Sequence, residues 1–158
     1  MARSEGRGAT LSPSTLHRFF VDVPLAAGQV ASIDRLAPQL SAVLRLAPGD
    51  EIILLDGKGF EYRALLHALS PKYATALVVS AHECRNESAV PLTHYQCSLK
   101  QDKFEWVLQK ATELGVARIV PVISARSIVR PEDALRKKYE RWRTILREAA
   151  EQSRRGRI

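Results

Sequence analysis

The first half of the chain places its apolar residues in short runs separated by turn-forming residues, and the second half places them at helical spacing. His17–Val23, Gln29–Ile33, Glu51–Asp56, Phe60–Leu69 and Tyr73–Ala81 predict strands, and their even spacing predicts a small, mostly antiparallel β-barrel. Pro48-Gly49-Asp50 and Asp56-Gly57-Lys58-Gly59 supply turns, the second with glycine where a hairpin loop needs positive φ. Asp34 to Leu44 predicts a short helix with Pro38 in its first turn, where proline is tolerated.

Glu83 to Val90 is polar and has no period, so it predicts a linker and a domain boundary. Beyond it, Leu92–Leu99 predicts a strand. A helix then follows in which Phe104, Val107, Leu108, Ala111 and Leu114 form the apolar stripe, Asp102 caps with Glu105 three residues on, and Gly115 gives a left-handed stop. Arg118–Ile123 predicts a second strand, and the strand–helix–strand order implies a parallel pair, with Pro121 restricting the second strand to an edge or an early end. A long helix over about Ala134–Arg154 carries Leu135, Tyr139, Trp142, Leu146 and Ala149 on its apolar face. The expected organisation is a disordered leader over 1–16, a barrel over 17–84, a linker over 85–91 and an α/β domain over 92–158. Two strands and two helices cannot cover a parallel sheet on both faces, so the α/β domain is expected to be the first part of a longer one, the alternative being completion by another chain.

Composition narrows the setting. At 158 residues and 46% hydrophobic content, the chain can build one ordinary core or two small ones. Two cysteines argue against a disulfide scaffold, and no run approaches the ~18 apolar residues of a membrane span, so a cytoplasmic location away from membranes is expected. The net charge of +7 is unevenly placed: residues 1–90 carry nine Lys/Arg and nine Asp/Glu, whereas residues 91–158 carry fifteen against eight. A polyanion, if one is bound, meets the second part; simple solvation of basic helices is the competing reading.

Most familiar chemistries are missing. Gly57-Lys58-Gly59 lacks the frame of a phosphate-binding loop, no G-x-G-x-x-G follows a strand, and no G-x-S-x-G elbow marks a nucleophile. His82-Glu83-Cys84 and His94-Tyr95-Gln96-Cys97 offer zinc-type ligands at spacings that match no common structural site, so no metal is assigned. What remains is a basic cluster: Lys100 and Lys103 after the first strand of the pair, Arg126 and Arg130 after the second, and Arg147, Arg154, Arg155 and Arg157 toward the end of the last helix. Parallel strands end on one edge, so the first two groups are expected to converge where open α/β sheets bind ligands.

Several segments, in order, resemble one family. His17-Arg18-Phe19-Phe20-Val21, Val43-Leu44-Arg45-Leu46-Ala47-Pro48-Gly49-Asp50, Asp56-Gly57-Lys58-Gly59, the run Lys100–Val116, Ile119-Val120-Pro121, Arg126-Ser127, Arg141-Trp142 and Glu148-Ala149-Ala150-Glu151-Gln152-Ser153-x-Arg155 are similar to the ribosomal RNA small subunit methyltransferase E family. The resemblance implies a PUA-like RNA-binding barrel followed by the first part of a SPOUT-class α/β trefoil-knot domain. It implies methylation of N3 of a uridine in 16S rRNA of the small ribosomal subunit, with S-adenosylmethionine as cofactor and a homodimer as the working form. The family's Gly-Pro-Glu-Gly-Gly and Leu-Arg-x-Glu-Thr-Ala segments do not occur up to Ile158, so the knot and cofactor site are expected beyond that residue and the 158 residues alone are expected to be inactive. Gln39 stands where the family usually carries His, and as donor and acceptor it can replace a hydrogen-bonding imidazole.

By motif position, the resemblance marks Arg18, Arg45, Lys100 and Arg126 for RNA or base contact; Lys103, Arg147, Gln152, Arg154 and Arg155 complete the expected RNA-binding set. No catalytic residue is assigned. Uridine N3–H lies only about two pK units above neutrality, so forming its anion costs about 3 kcal/mol. Cations near the base, with close alignment, supply much of such a reaction without a dedicated base. The rival function is a non-catalytic RNA-binding module or ribosome assembly factor.

Overall fold

A computed structural model of the chain describes residues 16–127 and 135–158. The expected leader therefore falls outside the described residues except for Leu16, which is buried with Phe20, Ile53 and Leu55 and so belongs to the folded part. Strands β1 (Arg18–Phe20), β2 (Val30–Ser32), β3 (Glu51–Leu55), β4 (Phe60–Leu69) and β5 (Ala74–Glu83) form one sheet in the order β1-β3-β4-β5-β2. Every pairing is antiparallel except β1 with β3, where Arg18 lies opposite Ile53. The long β4–β5 hairpin shifts register between Arg63 and Ala64 and again between Leu66 and Ala68, irregularities of the kind that bend a strand around a core.

Glu51-Ile52-Ile53-Leu54-Leu55 is almost continuously apolar, the pattern of a strand covered on both faces. Ile52 and Leu54 join Phe19, Leu40, Ala64 and Leu66 in the main core, whereas Ile53 and Leu55 face a second cluster completed by Ala150 from the other end of the chain. The expected helix over 34–44 is instead a 3-10 turn at Asp34–Leu36 and a π turn at Gln39–Val43. Pro38 sits between them with no N–H to continue the ladder, and Ala37 and Leu40 nevertheless reach full burial in the main core.

In the second region β6 (Thr93–Cys97) and β7 (Arg118–Val122) pair in parallel, with Thr93 opposite Arg118 and Cys97 opposite Val122. Helix α1 (Gln101–Glu113) connects them and α2 (Tyr139–Gln152) packs on α1 through Phe104, Leu108 and Trp142, with Leu135 from the segment before α2 in the same cluster and the Phe104 and Trp142 rings 4.6 Å apart. Asp102 does not cap α1: the helix begins at Gln101 after Lys100, so the carboxylate lies in the first turn, where it still complements the helix dipole. Gly115, at φ +86°, ends the helix as expected, and Val116 donates back to the Ala111 carbonyl. Leu114 is 81% exposed because it sits at that cap, past the last turn of the stripe. Tyr139, also expected inside, is exposed at the first turn of α2. Among the described residues no helix is long and apolar enough to cross a membrane.

Candidate nucleic-acid interface

The parallel register sets the carboxyl ends of β6 and β7 side by side, with the Ser98 N–H donating to the Val122 carbonyl at 2.9 Å. Lys100 and Lys103 leave one strand end and Arg126 the other, as the topology implied. All three are exposed and form no salt bridge with a described residue. Arg130 lies outside the described residues.

A second set of expected residues gathers where the barrel meets α2. A polar cleft of about 480 Å³ there takes His17, Arg18 and Gln39 from the barrel side and Glu148, Gln152 and Arg154 from the helix side. Arg18 is mostly buried and donates to the Glu61 carboxylate at 2.5 Å, while its Nε has no acceptor. Arg45 follows Leu44, a residue of the same cleft, and is exposed in a left-handed conformation at φ 54°.

Two other members of the set hold the protein together. Arg155, expected on RNA, is buried: its guanidinium donates to the Glu87 carboxylate at 3.0 Å and to the carbonyls of Thr112 and Val116 at 3.1 and 2.9 Å. The same Glu87 accepts from the backbone N–H groups of Gly156 and Arg157, each at 2.9 Å. A side chain at Gly156 would meet the Cys84 Cβ at 2.5 Å, so the C-terminal segment approaches the barrel exit as closely as glycine permits. Arg147 donates to Asp22 at 2.7 Å, and that guanidinium holds the Asp22 carboxyl below its usual range against the opposing effect of partial burial. Glu151 accepts from the Phe20 N–H at 2.8 Å; its burial raises the carboxyl pKa, a shift moderated by that hydrogen bond and by Arg147.

Sequence reasoning missed Glu87, which reads as one more polar residue of a linker although its partners lie 68 to 70 positions away. It also missed Trp106, which is 61% exposed in a groove between α1 and α2 that runs from Gln152 and Glu148 to Asp102. Among the described residues, the His and Cys side chains form no cluster able to hold a metal; the Cys84 Sγ instead lies 3.5 Å from the Arg154 carbonyl.

Residues 42–79 match the family model described as the RNA methyltransferase PUA domain, and residues 86–158 match that of the RNA methyltransferase domain. Ribosomal RNA small subunit methyltransferase E of Bacillus subtilis is 41% identical over 120 residues, 73% of this chain and 46% of that protein. The chain belongs to the ribosomal RNA small subunit methyltransferase E family. The PUA-like match thus falls within the five-stranded sheet, and the SPOUT-type methyltransferase match takes in β6, α1, β7 and α2. The crystal structure of the Neisseria gonorrhoeae methyltransferase E, bound to S-adenosyl methionine, superposes with a TM-score of 0.83 at 36% identity, covering 90% of this chain and 59% of that one. A Legionella pneumophila methyltransferase solved with bound SAM gives 0.82 at 28% identity, covering 90% and 60%. The chain spans about half the length of the curated methyltransferase E relatives it matches.

Proposed function

We propose that the full-length protein is a homodimeric, cytoplasmic enzyme that transfers a methyl group from S-adenosylmethionine to N3 of a uridine in 16S rRNA of the small subunit. This chain carries the RNA-binding barrel and the early part of the catalytic domain. The observation that supports this most is the order of the two matches, RNA methyltransferase PUA domain and then RNA methyltransferase domain, on a fold in which exposed cations follow the carboxyl ends of two parallel strands. In this reading Lys100, Lys103 and Arg126 hold the RNA at the β6–β7 edge and stabilise negative charge developing on the uracil. Arg18, Arg45, Gln152 and Arg154 contact RNA at the barrel seam. Arg147 and Arg155 position the two parts relative to one another.

The apolar groove between α1, β7 and α2 does not fit the cofactor. It measures about 340 Å³, is bounded by Leu108, Ile119 and Trp142, and contains Arg118, Arg143 and Arg155 and no acidic side chain, so a sulfonium and an ammonium would meet cationic side chains there. We therefore assign this groove no cofactor contact and expect the cofactor site in the rest of the full-length protein's catalytic domain, not in these 158 residues. By themselves they bind S-adenosylmethionine negligibly in calorimetry, and tight binding would contradict the assignment. For the full-length protein, transfer of labelled methyl from S-adenosylmethionine to small subunits, followed by nucleoside analysis, yields 3-methyluridine. Label in another base, or none, overturns the proposal in favour of a non-catalytic RNA-binding module.

A further inference from the structure

The cleft between barrel and α2 has a composition unlike that of a phosphate site. Arg18 is tied to Glu61, and Arg154 shares the lining with Glu148 and Glu151, so the charges nearly cancel. The helix end beside it is the C-terminus of α2, where backbone carbonyls repel anions. Phosphates are favoured by the opposite arrangement, a helix N-terminus or clustered arginines.

What the cleft does offer is neutral hydrogen-bonding capacity. Gln39 and Gln152 both expose side-chain amides that make no hydrogen bond with a described residue, and each amide presents a donor pair and an acceptor. The exposed imidazole of His17 and the Leu44 side chain supply flat and apolar surface. The volume of about 480 Å³ falls in the usual range of small-ligand sites.

We infer that this cleft receives one unstacked nucleobase of the bound RNA, with Gln39 and Gln152 reading its edge and His17 flanking its face. The inference rests on the RNA-binding reading above and specifies one base-recognition site within it. Single-stranded RNA is recognised in this manner, by bases turned out of the stack and bonded along their edges. The surface continues in the required direction: Glu148 and Gln152 also line the groove between α1 and α2, which leads past Trp106 to Asp102, and Asp102 adjoins Lys103 in the next depression. Nucleotides flanking the captured base thus have a path to the strand edge.

The test uses the 158-residue chain and fluorescein-labelled RNA strands about 12 nucleotides long, the scale of a single-strand binding site. A mixed-sequence strand, the same strand with single abasic positions, and its duplex are compared by anisotropy. One abasic position is expected to weaken binding about tenfold, as will pairing into the duplex. Gln39→Ala combined with Gln152→Ala removes that tenfold preference, so that the double variant binds the intact and abasic strands with equal affinity. Both amides are exposed, so the thermal midpoint of the double variant stays at the wild-type value. Salt-dependent binding that ignores every abasic substitution, or a double variant that keeps the preference, overturns the inference and leaves the RNA reading standing. Failure of the wild-type chain to bind any strand overturns both.

Discussion

The barrel and the helix-rich region solve different problems with similar chain lengths. Ten residues of the barrel, from Phe19 to Ala76, form one cluster exposed by 4% or less, and the charges of residues 1–90 balance. Among the described residues after residue 90, Phe104, Leu108, Leu135 and Trp142 form a buried cluster of four and Tyr95, Trp106 and Leu114 are more than 60% exposed; this part of the sequence holds the whole positive excess. The first holds the larger core; the second is a charged surface whose position depends on its contacts with the first. That dependence is concrete: Ala150 completes a barrel cluster, Glu151 bonds the β1 backbone, and Glu87 joins the barrel exit to Arg155, Gly156 and Arg157.

Removing the joint should separate the two regions most sharply. Glu87→Ala leaves the Arg155 guanidinium buried without its carboxylate, a change that costs about 3 to 5 kcal/mol. Hydrogen exchange of the variant should show loss of protection in β6, α1, β7 and α2 while β3–β5 remain protected. Equal loss in both regions would mean that they unfold as one unit. Arg155→Met should be milder, because an apolar side chain of similar reach removes the buried cation instead of stranding it.

The outer tie is weaker. Asp22 is 56% exposed in its ion pair with Arg147, so Asp22→Asn should lower stability by about 0.2 to 1 kcal/mol near neutral pH. Its carboxyl pKa is depressed in the fold, so the stabilisation is present above the ordinary value of 3.8 and disappears as pH falls through the lower folded value. Wild-type and variant denaturation curves should therefore converge in acid; a constant gap would assign the effect to something other than the charge.

Glu151 gives the smallest effect and the opposite sign. Burial raises its pKa above 4.5, so the folded state holds the proton more tightly, and the associated stability is present below that value and lost as pH rises through the folded pKa. Glu151→Gln can still accept from the Phe20 N–H and should flatten this slope with little change at low pH. An unchanged slope in the variant would place the titrating group elsewhere.

Local signals explain which parts of this comparison were readable in the chain. The strands of the barrel announce themselves through apolar runs bounded by Pro48-Gly49 and Gly57-Lys58-Gly59, and α1 through its stripe and Gly115, because the forces involved act over a few residues. The division of residues 34–44 followed from the missing N–H of Pro38, whose position was visible but whose consequence depended on the fit of Leu40 into the core. Arg155 and Glu87 were opaque for a different reason. A basic residue in a run of arginines looks like a polyanion contact until its fold-specific partner, 68 positions away, is known. The parallel pairing of β6 and β7, which sets their carboxyl ends on one edge, needed only strand order, and it was legible for that reason.

The division of labour between the two regions is tested most directly by the salt dependence of RNA binding. Affinity of the chain for a single-stranded RNA should fall steeply with salt through counterion release, and the triple variant Lys100→Ala, Lys103→Ala, Arg126→Ala should reduce the log–log slope by about 2, at roughly 0.7 per lost phosphate contact. Neutralising Arg136 and Lys137, exposed near the start of α2, should leave the slope near its wild-type value. A triple variant indistinguishable from wild type, with binding abolished instead by loss of Arg136 and Lys137, would contradict the placement of RNA on the β6–β7 edge.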